Sequence, residues 1–185
     1  VKAQLQSGDY LFIQFGHNDS KPDTARFTDP FTTYQQYLLQ YIEEARALGV
    51  TPVLMTSIHR NSWESDTLTV QDTHGDYLVA MRQLADSAEV PLIDMAVLTK
   101  ALYEKYGFKR SSEEIFLNLP AGLYPAYDAG NEDNTHLQES GAYAIANLVA
   151  MAISQTADSQ LLPLAAGLLP MEELFLEVSP RLGGN

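Results

Sequence analysis

Cysteine is absent from all 185 residues. Disulfides, thiolate metal centres and a cysteine nucleophile are therefore excluded, although the absence does not fix the redox compartment. Basic side chains are scarce: 11 Lys and Arg stand against 24 Asp and Glu, for a formal charge of −13. That balance argues against a nucleic-acid backbone or an anionic membrane surface as partner. No apolar run approaches the roughly 18–20 residues of a membrane span. No signal-peptide pattern opens the chain, which begins with Val1 rather than Met; secreted and cytoplasmic settings are both compatible with that. What is present is the composition of a folded domain, 45% hydrophobic and 10% aromatic. The length suits one α/β domain with a real core.

The apolar stretch YLFIQF at 10–15 follows a Gly8-Asp9 turn signal and reads as a buried parallel strand. Asp29 as N-cap and Pro30 as first helical residue open a helix that runs to Leu48, with Gly49 closing it. A second strand is expected at 51–57 and a third at 90–94, with a helix at about 77–88 between them. A further helix follows to about Tyr106, then a long loop region at 107–135, then a helix at 138–153. The stretch 161–169 is apolar but broken by Pro163 and Gly167, and 171–178 reads as a short helix. Strands alternating with helices predict a parallel, doubly wound sheet. Three strands are fewer than the usual 4–6 or so, which leaves the architecture incomplete at its start.

Two polar clusters stand out. Gly16-His17-Asn18-Asp19 follows the first strand, at the sheet edge where α/β ligands bind. Asp133-Asn134-Thr135-His136 precedes the last helix. An Asp three residues before a His orients and charges the imidazole, and an Asn after a buried strand can aim its amide at a developing oxyanion. Base, orienter and oxyanion donor are the parts of acyl-transfer chemistry. Taken singly, each cluster also reads as plain turn chemistry.

These residues carry a resemblance. The segment 8–19, GDYLFIQFGHND, is similar to the third conserved block of the SGNH (GDSL-type) hydrolases, and within them to the rhamnogalacturonan acetylesterase group. Segments 73–77 (THGDY), 90–94 (VPLID) and 119–122 (LPAG) resemble the same group, and 132–136 (EDNTH) resembles its last block. The resemblance implies a flavodoxin-like three-layer α/β fold. It also implies a serine esterase that removes O-acetyl groups from pectic polysaccharide, with an acetylated polysaccharide or oligosaccharide as partner and no metal or organic cofactor. Asn18 matches the oxyanion-hole asparagine, and Asp133 and His136 match the Asp-x-x-His pair.

The departure from the family pattern is as informative. No Gly-Asp-Ser block follows a first strand, and Ser7-Gly8-Asp9 has the wrong order and precedes a strand. The expectation is a fragment that starts near the family's third strand, with an SGNH-like domain at 1–155 and a tail at 156–185 of uncertain structure. Such a chain should be inactive alone. It should also be poorly stable, because the strand at 10–15 would become an exposed edge. Ser20 and Ser57 are weak substitutes for the nucleophile. Two rival readings are a metal-dependent phosphoesterase using His17, Asp19, Asp133 and His136, and a non-catalytic carbohydrate-binding or interaction domain. Of the remaining residues, His59 and Arg60 read as surface or cleft positions, and Trp63 as packed against the domain in preference to stacking on a sugar ring. His74 reads as a turn or cap residue, and Tyr34, Tyr37 and Tyr41 as core or boundary packing.

Overall fold

The β-prone run at Tyr10–Ile13 forms strand β1, and Thr51–Met55 forms β2. The two pair in parallel, from Tyr10 opposite Thr51 to Ile13 opposite Leu54. β3 is short, Leu92–Ile93, and pairs in parallel with Leu54 and Met55 of β2. The order is β1-β2-β3, so β1 is an edge of this sheet among the described residues. A computed structural model describes residues 2–22 and 25–168. The described residues fall into two compact units: one comprises residues up to 58, 74–97 and 156–163, the other 59–73, 98–155 and those from 164.

The first unit holds the sheet. Asp29 caps as its residue type predicts, its Oδ1 accepting the N–H groups of Phe31 (3.2 Å) and Thr32 (3.1 Å). The first turn, Pro30–Tyr34, is wound as a π-helix, and α1 (Gln35–Ala47) continues it. α2 spans Asp76–Ser87. Leu38 and Ile42 of α1 and Ala80, Met81, Leu84 and Ala85 of α2 meet Ile13 and Leu54 in one buried cluster. Ile13 and Leu54 are register partners and so share a sheet face. The expected strands at 10–15 and 51–57 both end two residues early. Beyond both ends, side chains take backbone carbonyls: Phe15 accepts from Tyr34 Oη (2.9 Å) and Ser57 Oγ (3.1 Å), and Thr56 accepts from Gln14 Nε2 (3.0 Å). Residues 156–163 join this unit, with Tyr10 Oη donating to the Gln160 carbonyl at 3.0 Å.

The second unit is built around Val70, Tyr103, Ile115 and Phe116, with Trp63, Tyr106, Leu137 and Ile145 packed against them. Helix α3, Met95–Glu114, corrects the expectation of a loop from residue 107. The backbone breaks at Gly107 (φ 77°, ψ 164°), but helical winding resumes to Glu114. Arg110 and Glu114 pair at 2.8 Å across one turn of this second half. Gly107 gives a stop signal and Phe108 is exposed, so the apolar period is lost just where the helix restarts. α4 spans Glu139–Ser154, and α5 is the single turn Leu162–Ala165. The short helix expected at 171–178 lies outside the described residues.

Candidate active site

In the first unit, the segment after β1 is a tight, heavily bonded turn. Gly16 has φ 116°, and a Cβ there would come within 2.9 Å of Tyr34 Oη and 3.1 Å of Ser57 Oγ. Only glycine fits this position. Asp19 holds the turn closed: Oδ2 accepts the Gly16 N–H (3.0 Å) and Oδ1 the Thr28 hydroxyl (3.3 Å), while its carbonyl accepts from Tyr77 Oη (3.0 Å). Asn18, at the head of the turn, is exposed, and its carbonyl accepts the Lys21 N–H at 3.1 Å. Its side chain stands at the C-terminal end of a parallel strand, where open α/β sheets bind ligands.

His17 is not a simple turn residue. Its Nδ1 shares a hydrogen bond with Nε2 of His74 at 3.2 Å, and the two rings lie 5.1 Å apart. His74 is buried, and its carbonyl accepts the N–H of Tyr77 in the first turn of α2. Both substitute nucleophiles are committed elsewhere. Ser57 is 4% exposed, with its hydroxyl on the Phe15 carbonyl. Ser20 Oγ donates to the His17 carbonyl at 3.3 Å.

In the second unit, the structure joins Asp133 and His136. His136 Nδ1 lies 2.7 Å from Asp133 Oδ2. The other oxygen, Oδ1, accepts the backbone N–H groups of Thr135 (2.8 Å) and His136 (2.9 Å). The carboxylate thus fixes the turn with one oxygen and the imidazole with the other. Burial opposes its ionisation, but the N–H and imidazole of His136 outweigh that and hold the Asp133 carboxyl below its usual range. The His136 side chain is 74% exposed, so its second nitrogen is open to a reactant.

Two asparagines that sequence reasoning missed support this turn. Asn118 Oδ1 accepts the Asp133 N–H at 3.0 Å, and the Asn61 N–H donates to the Asn134 carbonyl at 2.8 Å. His59, expected at the surface or in a cleft, is buried instead, its N–H bonded to Thr99 Oγ1 at 3.1 Å. Desolvation pushes its pKa down. Trp63 is half-buried against the second core cluster, as expected. Of the three tyrosines, Tyr34 is core, while Tyr37 and Tyr41 are exposed on α1.

A family model described as GDSL-like Lipase/Acylhydrolase matches residues 2–149. Rhamnogalacturonan acetylesterase RhgT of Bacillus subtilis (strain 168) is 41% identical over 155 residues, covering 84% of this chain and 65% of that protein. The probable rhamnogalacturonan acetylesterase YesY of the same organism is 36% identical over 152 residues, covering 82% of this chain and 64% of that protein. The chain thus spans just under two thirds of the length of these curated relatives. The crystal structure of protein YxiM from Bacillus subtilis matches with a TM-score of 0.67 at 22% identity, over 85% of this chain and 40% of that one. This last likeness shows the fold alone, an α/β arrangement with a parallel sheet and flanking helices. From the span of the family match and the identity to these relatives, the chain belongs to the GDSL-like lipase/acylhydrolase family.

Proposed function

We propose that this chain carries the oxyanion donor and the acid–base pair of a serine-type O-acetylesterase acting on pectic polysaccharide, rhamnogalacturonan. The observation that carries the reading is the 2.7 Å contact between Asp133 and His136. The identity to two Bacillus subtilis proteins named as rhamnogalacturonan acetylesterases supports the substrate class.

The roles follow from the atoms. An ionised Asp133 beside Nδ1 keeps the imidazole proton on that nitrogen. The lone pair of Nε2 is then free to take the proton of a serine hydroxyl as it attacks the acetyl carbonyl. The imidazolium so formed is stabilised by Asp133 and returns the proton to the departing sugar alkoxide. The Asn18 amide would donate to the oxyanion of the tetrahedral intermediate. The nucleophile block has no match in these 185 residues, and the hydroxyls of Ser20 and Ser57 are bonded to backbone carbonyls. The polypeptide by itself is therefore expected to hydrolyse no ester.

The test has two arms. The 185-residue chain alone is offered an activated acetyl ester; turnover that a serine-directed phosphonate abolishes would overturn the expected inactivity and point to Ser20 or Ser57. In the second arm, residues 8–149 replace the corresponding part of RhgT. A folded chimera should release acetate from acetylated rhamnogalacturonan and lose that activity on His136→Ala. A folded but inactive chimera sinks the esterase reading.

A further inference from the structure

We infer that Trp63 and Phe108 form a sugar-stacking subsite built onto the Asp133–His136 turn, taking a pyranose ring of the polysaccharide next to the acetylated one; the inference rests on the esterase reading above. Both aromatics belong to the second unit. Phe108 follows the break at Gly107 and is 48% exposed. An aromatic ring so exposed on a helix contributes little to folding. Yet it is not left loose. Its ring meets that of Trp63 edge to face, with centroids 6.2 Å apart and planes at 90°. Two rings at right angles make a corner, with one face to stack the C–H side of a sugar and one wall to limit its rotation.

The corner is tethered to the turn by a closed set of hydrogen bonds. Trp63 Nε1 donates to Asn61 Oδ1 at 2.7 Å, which fixes the rotation of the indole. Asn61 Nδ2 donates to Ser112 Oγ at 2.8 Å, and Ser112 Oγ in turn donates to the Phe108 carbonyl at 2.9 Å. The Asn61 N–H then reaches the Asn134 carbonyl at 2.8 Å, in the loop between Asp133 and His136. A second strap runs in parallel: Asn118 Nδ2 donates to the Ser112 carbonyl (3.1 Å) and Asn118 Oδ1 accepts the Asp133 N–H (3.0 Å). One asparagine uses three of its polar groups and a second uses two to hold the half-buried Trp63 and the exposed Phe108 in register with the acid–base turn. A purely structural contact has no need of that registration. A subsite does, because stacking accelerates a reaction only when the bound ring is held at a fixed distance from the reacting bond.

Trp63 is the sole tryptophan of the chain, so its emission reports on the corner directly. The probe is a deacetylated rhamnogalacturonan oligosaccharide titrated into the 185-residue chain, followed by Trp63 fluorescence and by calorimetry in parallel. The expected result is saturable binding by both readouts with one affinity. Phe108→Ala should weaken binding by about tenfold or more, and Phe108→Tyr, which keeps the stacking face, should restore it. The exposed position of Phe108 makes both variants compatible with folding. Calorimetric binding with unchanged Trp63 emission and no effect of Phe108→Ala overturns the subsite and leaves the pectic esterase reading standing. Absence of binding by either readout also overturns the subsite, and the chimera's acetate release then judges the esterase reading separately.

Discussion

Asp133 performs two tasks with two oxygens, and this decides what an amide in its place would do. In Asp133→Asn, the single carbonyl oxygen is claimed by the N–H groups of Thr135 and His136, the donors that now converge on Oδ1. The amide N–H₂ then faces His136 Nδ1 and forces the proton onto the other nitrogen, the wrong tautomer for a base. In the active chimera the expected loss is up to about 10⁴-fold in kcat with little change in fold; steady-state kinetics and circular dichroism together check it. At this scale the Asp133–His136 contact was legible. A spacing of three places Asp133 and His136 on one turn whatever surrounds them, and a short apolar strand puts Asn18 at its exit. The tethers were not legible. Asn61 and Asn118 lie in turn-rich segments where asparagine is ordinary, and the partner of His17 is 57 residues away along the chain.

Among the elements, the packing of α4 rests on one glycine. A Cβ on Gly141 would lie 2.1 Å from the Ile115 carbonyl oxygen, a backbone atom that also accepts the Gln138 N–H. Gly141→Ala must push α4 outward, and a loss of about 1–3 kcal/mol is expected from such overpacking; urea denaturation measures it. The helix itself was readable from its apolar period, but this contact is long-range and leaves no periodic trace. The edge of the sheet makes a second case. Phe12 is 39% and Phe15 46% exposed, at and just beyond β1. Neither charge nor proline blunts that strand, the usual safeguards of an edge. Concentration-dependent association of the 185-residue chain is expected in sedimentation velocity. Phe12→Lys should suppress it, and association unchanged by that substitution would refute the role of the edge.

For the whole molecule, acid is the condition to watch. His59 is buried with its pKa depressed by desolvation. Its folded value therefore lies below its unfolded one, near 6.5. Above that value it costs nothing, and as pH falls below it the unfolded chain takes up the proton that the folded chain refuses. The carboxyls of Asp94, Glu104 and Asp133 are also depressed. Their contribution is present above the ordinary carboxylate range and is lost as pH falls through their folded values. The formal charge of −13 acts the other way, since protonating carboxylates relieves repulsion. Few carboxylates titrate between about pH 6.5 and 5, so in that window the depressed His59 contributes a loss of stability. Tm is expected to be level above pH 7 and to fall from 6.5 to 5, and His59→Gln should flatten that first decline; a pH series of thermal melts checks both. The edge that β1 forms among the described residues also has a polarity. A strand that extended this sheet in the sense of its existing pairs would run parallel to β1. Its first residues would then arrive beside Tyr10 and its last beside Gly16 and Asn18. Direction alone would act as an address: whatever side chain ended such a strand would be delivered to the turn that presents the Asn18 amide.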